Sequence, residues 1–379
     1  MAYIELKHVS YKYPLSKELA LKDITVSFEK GKFYGVIGEN AGGKTTLCNL
    51  IRGLIPHFYK GKLSGEVIID GQTIESIDID ILATRIGYIF QNPFTQISGV
   101  RKTVFEEIAL GMENLGVQKE KIIDRVFAIA AELKIEELLQ NNPNALSGGQ
   151  RQKVAFASVL AMDSDTLVID EPTSQLDPDG TAGIFEIIDT LKKQGKTIVL
   201  VEHKIDLLAQ YADEVLVMQN GRMIAQGRTE DVLADFTLLE RGVMLPQTVF
   251  FNHELECQGL SLDNVPVTRG ACIQQLRNKI NGDNVDKGVI LIEYFLEVEQ
   301  PFTIGDKLTV GNTALKGVCS KIVKDEEAPY GYTTKKKVDL ILSPISPLAR
   351  MVFSTFINGV LSACVVQMNE DLKKIVNKK

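Results

Sequence analysis

The chain has no cationic run longer than Lys335–Lys337, and its formal net charge is −7. A run that short reads as a solvated face, and nothing in the charge pattern points to DNA or RNA. The five cysteines, Cys48, Cys257, Cys272, Cys319 and Cys364, are scattered, with no C-x-x-C pair. That leaves neither a zinc site nor a disulfide framework, and it fits a reducing compartment. Long apolar runs are missing as well. The longest, Val352–Val366, is broken by Ser354, Thr355, Asn358, Gly359 and Ser362, short of the ~20 residues a spanning helix needs. The first residues, Met1-Ala2-Tyr3-Ile4-Glu5, carry no signal-peptide pattern. The expectation is a soluble chain that meets a membrane only through partners.

What is present is a chain of 379 residues, 45% apolar and 24% charged, with core enough for roughly two or three domains. Its most informative stretch is Val36–Thr46, in which Gly38, Gly43, Lys44 and Thr45 give the spacing G-x-x-x-x-G-K-T. The apolar run Phe33–Ile37 predicts a buried strand before it, and Thr45–Gly53 predicts a helix after it. Strand, glycine-rich turn and helix are what a phosphate-binding loop requires. Glycines let backbone N–H groups crowd a polyphosphate, and the helix start adds partial positive charge. Lys44 can reach the β- and γ-phosphates, and the Thr45 hydroxyl can bind Mg2+.

Residues 3–9, Leu21–Phe28 and Gly65–Ile69 predict strands, the last closed by an Asp70-Gly71 hairpin turn. Tyr13 can stack on a base or simply pack a strand. Ile86–Phe90 predicts a strand that delivers Gln91, a residue able to meet a metal-bound water or to cap a turn. Val104–Leu115 and Lys119–Leu139 predict helices. Leu146-Ser147-Gly148-Gly149-Gln150 opens a further helix over Gln152–Met162, with Ser147 as N-cap and two glycines leaving N–H groups uncovered. A capped helix alone does not explain them, since each glycine inside a helix costs roughly 1 kcal/mol.

Leu167–Ile169 is an apolar strand ending in Asp170-Glu171. Adjacent carboxylates at a buried strand's exit are costly without a partner or a task. Asp170 can hold Mg2+ and Glu171 can polarise a water. Ile184–Lys193 predicts an amphipathic helix, and Thr197–Val201 a strand that exits at Glu202-His203. The alternation from 33 to 203 predicts an α/β fold with a mostly parallel sheet, its functional groups gathered at the strands' carboxyl ends.

Taken in order, Tyr13, the loop 38–45, Gln91, LSGGQ at 146–150, Asp170-Glu171, Ser174–Asp177 and His203 resemble the nucleotide-binding subunit of an ABC transporter over residues 1–230. Gln91-Asn92-Pro93, Gln96–Gly99, Glu106-Glu107, Glu113–Gly116, Thr173–Pro178 and Val201–Lys204 are most similar to energy-coupling factor ATPases of micronutrient importers. Residues 231–280, with Gly242–Pro246, resemble that group's helical extension, which pairs ATPase subunits. The resemblance implies a P-loop NTPase cassette with a mostly parallel core sheet, an antiparallel β subdomain and a helical subdomain at about 92–160. Residues 281–379 lie outside it and read as a small α+β appendage. Strands are expected there at Val289–Val298, Gly305–Val310, Gly317–Val323 and Lys337–Leu342, and a helix at Ser346–Gln367.

The resemblance also implies roles. Tyr13 would stack on the adenine of ATP. Gly38, Asn40, Gly42, Gly43, Lys44 and Thr46 would line its phosphates, and Thr45, Gln91 and Asp170 would manage Mg2+. Glu171 would be the general base, and His203 would contact the γ-phosphate. Ser147, Gly148, Gly149 and Gln150 would close over nucleotide bound by a second ATPase subunit, the same or a related chain, with Asp177 connecting the two sites. Integral membrane subunits would hold the chain at the cytoplasmic face, out of contact with cargo. A soluble, non-transport ABC ATPase and a regulatory subunit without turnover are the alternatives. Two departures stand out. Ala41-Gly42 reverses the usual glycine-then-small order, which puts a methyl where positive φ is preferred. Lys153 replaces the usual arginine, which weakens bidentate pairing there.

Overall fold

The computed structural model describes residues 2–257 and 262–282, and strands at 290–294, 321–323, 330–333 and 336–342. The chain divides into two compact units, Met1–Met244 and Leu245–Lys379.

In the first unit, β1 (Ala2–Lys12), β2 (Leu21–Glu29), β4 (Lys62–Ile69) and β5 (Gln72–Thr73) form an antiparallel sheet in the order β2-β1-β4-β5. Along β2, Ile24, Val26 and Phe28 are buried while Thr25 and Ser27 are exposed, the alternation of a sheet with one covered face. The second sheet contains β3 (Phe33–Gly38), β6 (Ile86–Ile89), β7 (Thr166–Asp170), β8 (Thr197–Val201), β9 (Glu214–Gln219) and β10 (Arg222–Arg228). Its order is β10-β9-β3-β8-β7-β6, parallel throughout except for the β9–β10 hairpin. Strands β6, β7 and β8 are buried along their whole length, as expected of parallel strands covered on both faces.

The helices of this unit are α1 (Lys44–Ile51), α2 (Leu54–His57), α3 (Ile79–Arg85), α4 (Pro93–Gln96), α5 (Val104–Asn114), α6 (Lys119–Leu133), α7 (Gly148–Leu160), α8 (Pro178–Lys193), α9 (Ile205–Tyr211), α10 (Thr229–Ala234) and α11 (Thr237–Glu240). One apolar core joins Ile4, Leu6, Ile24, Phe28 and Val67 of the antiparallel sheet to Leu47, Leu50 and Ile51 of α1. It continues into Val36, Val168, Val199 and Leu216 of the main sheet. Each such side chain contributes about 1.5–3 kcal/mol on burial, so α1 and the loop entering it are held from two sides.

Helices α5, α6 and α7 pack on one another. The helix predicted over Lys119–Leu139 is shorter than expected, because α6 stops at Leu133. Lys134 adopts φ +55° and ψ +55°, and a 3-10 turn follows at Glu136–Leu138. The left-handed cap lets Ile135 N–H donate to Ala130 C=O and turns Ile135 and Leu138 into the core. Helix α8 starts earlier than its apolar periodicity suggests, with Asp177 as N-cap and Pro178 in the first turn.

The second unit contains α12 (Gln247–Cys257), α13 (Arg269–Gly282) and four strands, β11 (Ile290–Tyr294), β12 (Lys321–Val323), β13 (Tyr330–Thr333) and β14 (Lys336–Leu342). Their order is β12-β13-β11-β14, with β11 and β13 parallel and the other pairs antiparallel. The expected strand at Gly305–Val310 and helix at Ser346–Gln367 lie outside the described residues.

Candidate active site

Strands β3, β8, β7 and β6 are parallel neighbours, so their carboxyl ends share one edge. Beyond that edge come, in spatial order, the glycine loop, Glu202-His203, Glu171 and Gln91. The fold thus gathers residues that lie far apart in sequence.

The loop from β3 to α1 is shaped by its glycines. Gly38 turns at φ +138°, and a Cβ there would lie 1.9 Å from the Met218 carbonyl oxygen, so only glycine fits beside β9. Ala41 sits at φ +61°, exposed. Asn40 is exposed next to it. Gly43 is the N-cap of α1 and brings no side chain to cover the helix's first N–H groups. Gly221 N–H donates to Gly42 C=O and ties the loop to the β9–β10 turn. Lys44 is buried, and its ammonium donates to the Gly38 and Glu39 carbonyls at 3.0 and 2.9 Å. Burial pushes its pKa down, against the pull of Glu171 and Asp170. These two acceptors are neutral carbonyls, so a phosphate would offer stronger, charge-assisted bonds.

Tyr13 packs edge-on against Tyr11 and Tyr59, with ring centroids 4.9 and 5.7 Å apart. Its hydroxyl donates to Thr46 Oγ1 at 3.3 Å, which anchors the ring to α1.

Asp170, at the end of β7, is buried. Tyr88 Oη donates to its Oδ2 at 3.3 Å, while Oδ1 is buried and has no hydrogen-bond partner among the described residues. Burial pushes the carboxyl's pKa up; the nearby Thr45 hydroxyl, the Tyr88 hydroxyl and the Lys44 charge oppose this, and Glu171 adds to it. An orphaned carboxylate oxygen beside the exposed Thr45 hydroxyl fits Mg2+, a hard cation that takes oxygen ligands. Among the described residues no group of three His, Cys, Asp or Glu could hold a metal. A cation here would draw its remaining ligands from water and substrate phosphates.

Glu171 follows at φ +46°, an uncommon backbone setting for a residue with a side chain. Gln91 Nε2 donates to Glu171 Oε2 at 2.7 Å, and His203 Nε2 lies 2.8 Å from Oε1. A carboxylate only accepts, so this His203 contact requires the proton on Nε2. Both oxygens of Glu171 are therefore engaged, by residues from two other strand ends.

Sequence reasoning missed Glu202. It is buried beside His203. Thr173 Oγ1 donates to its Oε2 at 2.7 Å, and the His203 and Lys204 N–H groups donate to Oε1 at 2.9 and 3.1 Å. Lys204 Nζ donates to Thr181 Oγ1 at 2.6 Å, which pins the same loop to α8. The signal available was an acid at the exit of a fully apolar strand, one residue ahead of a histidine. Tyr88, reaching Asp170 from β6, was missed too.

A second group stands apart in its contacts. Ser147 caps α7: Gln150 N–H donates to Ser147 Oγ at 3.3 Å, and Ser147 N–H donates to Gln150 Oε1 at 3.1 Å. Among the described residues, a Cβ placed on Gly148 or Gly149 would meet nothing within 4 Å, so their packing does not demand glycine there. Asp177 is exposed and caps α8 by accepting from Gly180 N–H at 2.7 Å. Lys153 runs toward α8, where a Cβ on Gly183 would lie 3.8 Å from its Cε.

The ABC transporter family model matches residues 21–174. A Pyrococcus abyssi protein, provisionally described as an ABC transporter ATP-binding protein, is 40% identical over 263 residues. The match spans 69% of this chain and 93% of that one. The energy-coupling factor transporter ATP-binding protein EcfA1 of Listeria monocytogenes is 32% identical over 286 residues, covering 75% of this chain and 99% of its own length. Among solved structures, cbiO1 of Clostridium perfringens, part of the ABC transporter complex cbiONQ, is 31% identical with a TM-score of 0.56, over 63% of this chain and 94% of that one. A dimeric ATP-binding cassette in a post-hydrolysis state, bound to ADP and Pi, is 27% identical with a TM-score of 0.53, over 60% and 98%. Similarity that spans nearly the whole of each relative is more than a shared loop: the chain belongs to the ABC transporter ATP-binding family, is similar to energy-coupling factor and cobalt-type members of it, and is an ATPase.

Proposed function

We propose that this chain is the ATP-hydrolysing motor subunit of an energy-coupling-factor-like importer for a micronutrient, such as a vitamin or a transition-metal ion. It sits on the cytoplasmic face of the membrane, held by integral membrane subunits, and does not touch the cargo. Among the described residues no helix is long and apolar enough to cross a membrane, which fits attachment through partners. The observation that carries the catalytic part is Glu171, held at 2.7 and 2.8 Å by Gln91 and His203 on the edge that also carries Lys44. The transport part rests on the similarity to EcfA1 and cbiO1.

In this reading Tyr13 stacks on adenine. Lys44 leaves its loop carbonyls for the β- and γ-phosphates, helped by the amides of Asn40, Gly42, Gly43 and Thr46 above the Gly38 turn. Thr45, Asp170 and Gln91 would hold Mg2+, which would supply charge neutralisation at the phosphates. Glu171 takes a proton from water as the water oxygen bonds to the γ-phosphorus. The bond from that phosphorus to the bridging oxygen breaks, and ADP and inorganic phosphate result. Each Glu171 oxygen accepts one hydrogen bond at rest and keeps a second lone pair that can take the proton. His203 contacts the γ-phosphate and helps position the attacking water.

A second cassette, the same or a related chain, completes each site. Ser147, Gly148, Gly149 and Gln150 cover its nucleotide, and Asp177 links the two sites. The open space over Gly148 and Gly149 supports this, because glycine there suits an approaching phosphate rather than a neighbour in this chain. The γ-phosphate then clamps two halves, and its loss loosens them.

Glu171→Gln is expected to bind ATP, release no phosphate and accumulate a closed dimer; turnover at the native rate would refute the base assignment. For the transport part, the chain is expected to leave detergent-solubilised membranes together with an integral membrane protein. Recovery free of any such companion would contradict it.

A further inference from the structure

Among the described residues strand β6 ends the main sheet, paired with β7 on one side. Its outer edge should therefore present unpaired backbone groups. Two of them are not unpaired. The side-chain amide of Gln96, the last residue of α4, accepts from Phe90 N–H through Oε1 at 3.0 Å and donates from Nε2 to Tyr88 C=O at 3.2 Å. These are the two groups, on either side of Ile89, that a further strand would have paired. One amide thus stands in for a missing peptide unit. The orientation is also fixed by chemistry, because a flipped amide would set donor against donor and acceptor against acceptor.

The clipped backbone lies between two residues that reach the carboxylates. Tyr88 Oη donates to Asp170, and Gln91 Nε2 donates to Glu171. The far side of α4 is fixed as well. Asn92 caps it by accepting from Phe94 N–H at 3.0 Å, and the Arg151 guanidinium lies 3.8 Å from the centroid of the Phe94 ring. Arg151 is buried, and its Nη2 donates to the carbonyls of Asn144 and Leu146, just ahead of Ser147.

We propose that Gln96 is a positioning residue for Gln91: it locks the end of β6 in strand geometry so that the Gln91 amide meets Glu171. The proposal rests on the roles given above to Gln91 and Glu171. Gln96 touches neither nucleotide nor carboxylate and acts only through the backbone of Tyr88 and Phe90.

The test is a double-mutant cycle on ATP turnover by the full chain, with KM and kcat separated. Gln91→Ala alone examines the underlying reading, and a native kcat would sink that reading. Gln96→Met keeps length and volume but removes both hydrogen bonds. It is expected to lower kcat at least about tenfold with KM for ATP within about threefold, and to lower it no more than about twofold further when Gln91 is already alanine. Should the Met variant melt early, Gln96→Glu serves instead. It preserves shape and the acceptor for Phe90 N–H but sets an oxygen against Tyr88 C=O, and the same loss is expected. Impaired Gln91→Ala beside a native kcat in both Gln96 variants would overturn the proposal. So would losses that multiply in the double variant, or a loss carried entirely by KM.

Discussion

Ala41→Gly should make the nucleotide-free protein more stable, although it removes a methyl group. Ala41 stands at φ +61°, a region that costs an L residue about 1–2 kcal/mol. Glycine removes that cost but returns roughly 0.5–1 kcal/mol through its greater freedom in the unfolded chain. Ala41 is exposed, so little burial is lost. The net expectation is a gain of about 0.5–1 kcal/mol, or about 1–4 °C in melting temperature for a unit of this size. The neighbouring change has the opposite sign. A Cβ on Gly42 would lie 2.9 Å from the Glu39 carbonyl oxygen and 3.1 Å from that of Met218. Both obstacles are backbone, so Gly42→Ala should cost about 1–3 kcal/mol. Restoring the usual order with both changes should therefore give a protein less stable than Ala41→Gly alone. Calorimetric melts of the four proteins without nucleotide are the assay. Ala41→Gly melting at or below the native temperature, or Gly42→Ala unchanged, would refute this account of the loop.

Two further outcomes follow from the carboxylates. Asp170→Asn should abolish turnover yet raise apo stability at neutral pH by about 1–2 kcal/mol, because it removes a buried charge with an orphaned oxygen. Burial raises the pKa of Asp170 in the fold, so the ionised form burdens the folded state above that pKa. The gain should shrink as pH falls through the raised pKa, where the native carboxyl is itself neutral; melts across that range check it. Glu202→Ala leaves the Thr173 hydroxyl and the His203 and Lys204 N–H groups without their acceptor. It should cost about 2–4 kcal/mol by urea titration and lower kcat more than it weakens ATP binding.

The phosphate loop, the LSGGQ helix start and the Asp170-Glu171 pair were legible because each is local. Glycine spacing and charges at a buried strand's exit act within a few residues of themselves. The parallel sheet was legible for the same reason, since fully apolar runs such as Leu167–Ile169 and Thr197–Val201 alternate with helical periodicity. The end of α6 was not, because Lys134 takes a left-handed cap that its side chain does not advertise. The β9–β10 hairpin went unread although Asn220-Gly221 between apolar runs is a turn signal. The pairing of Glu202 with Thr173, and of Gln96 with the β6 edge, could not be read, although the acid at the strand's exit was itself visible. Their roles arise only when the sheet sets strand ends side by side or α4 folds back, and no spacing in one strand encodes that.

The central claim is that each working site is shared between two cassettes. It is tested most directly by the mass of Glu171→Gln in light scattering, with and without ATP, alone and combined with Gly149→Leu. The account predicts that ATP doubles the mass of Glu171→Gln, and that Gly149→Leu abolishes the doubling while ATP still binds at Lys44. A mass unmoved by ATP, with Gly149→Leu in an otherwise native chain hydrolysing at full rate, would contradict it.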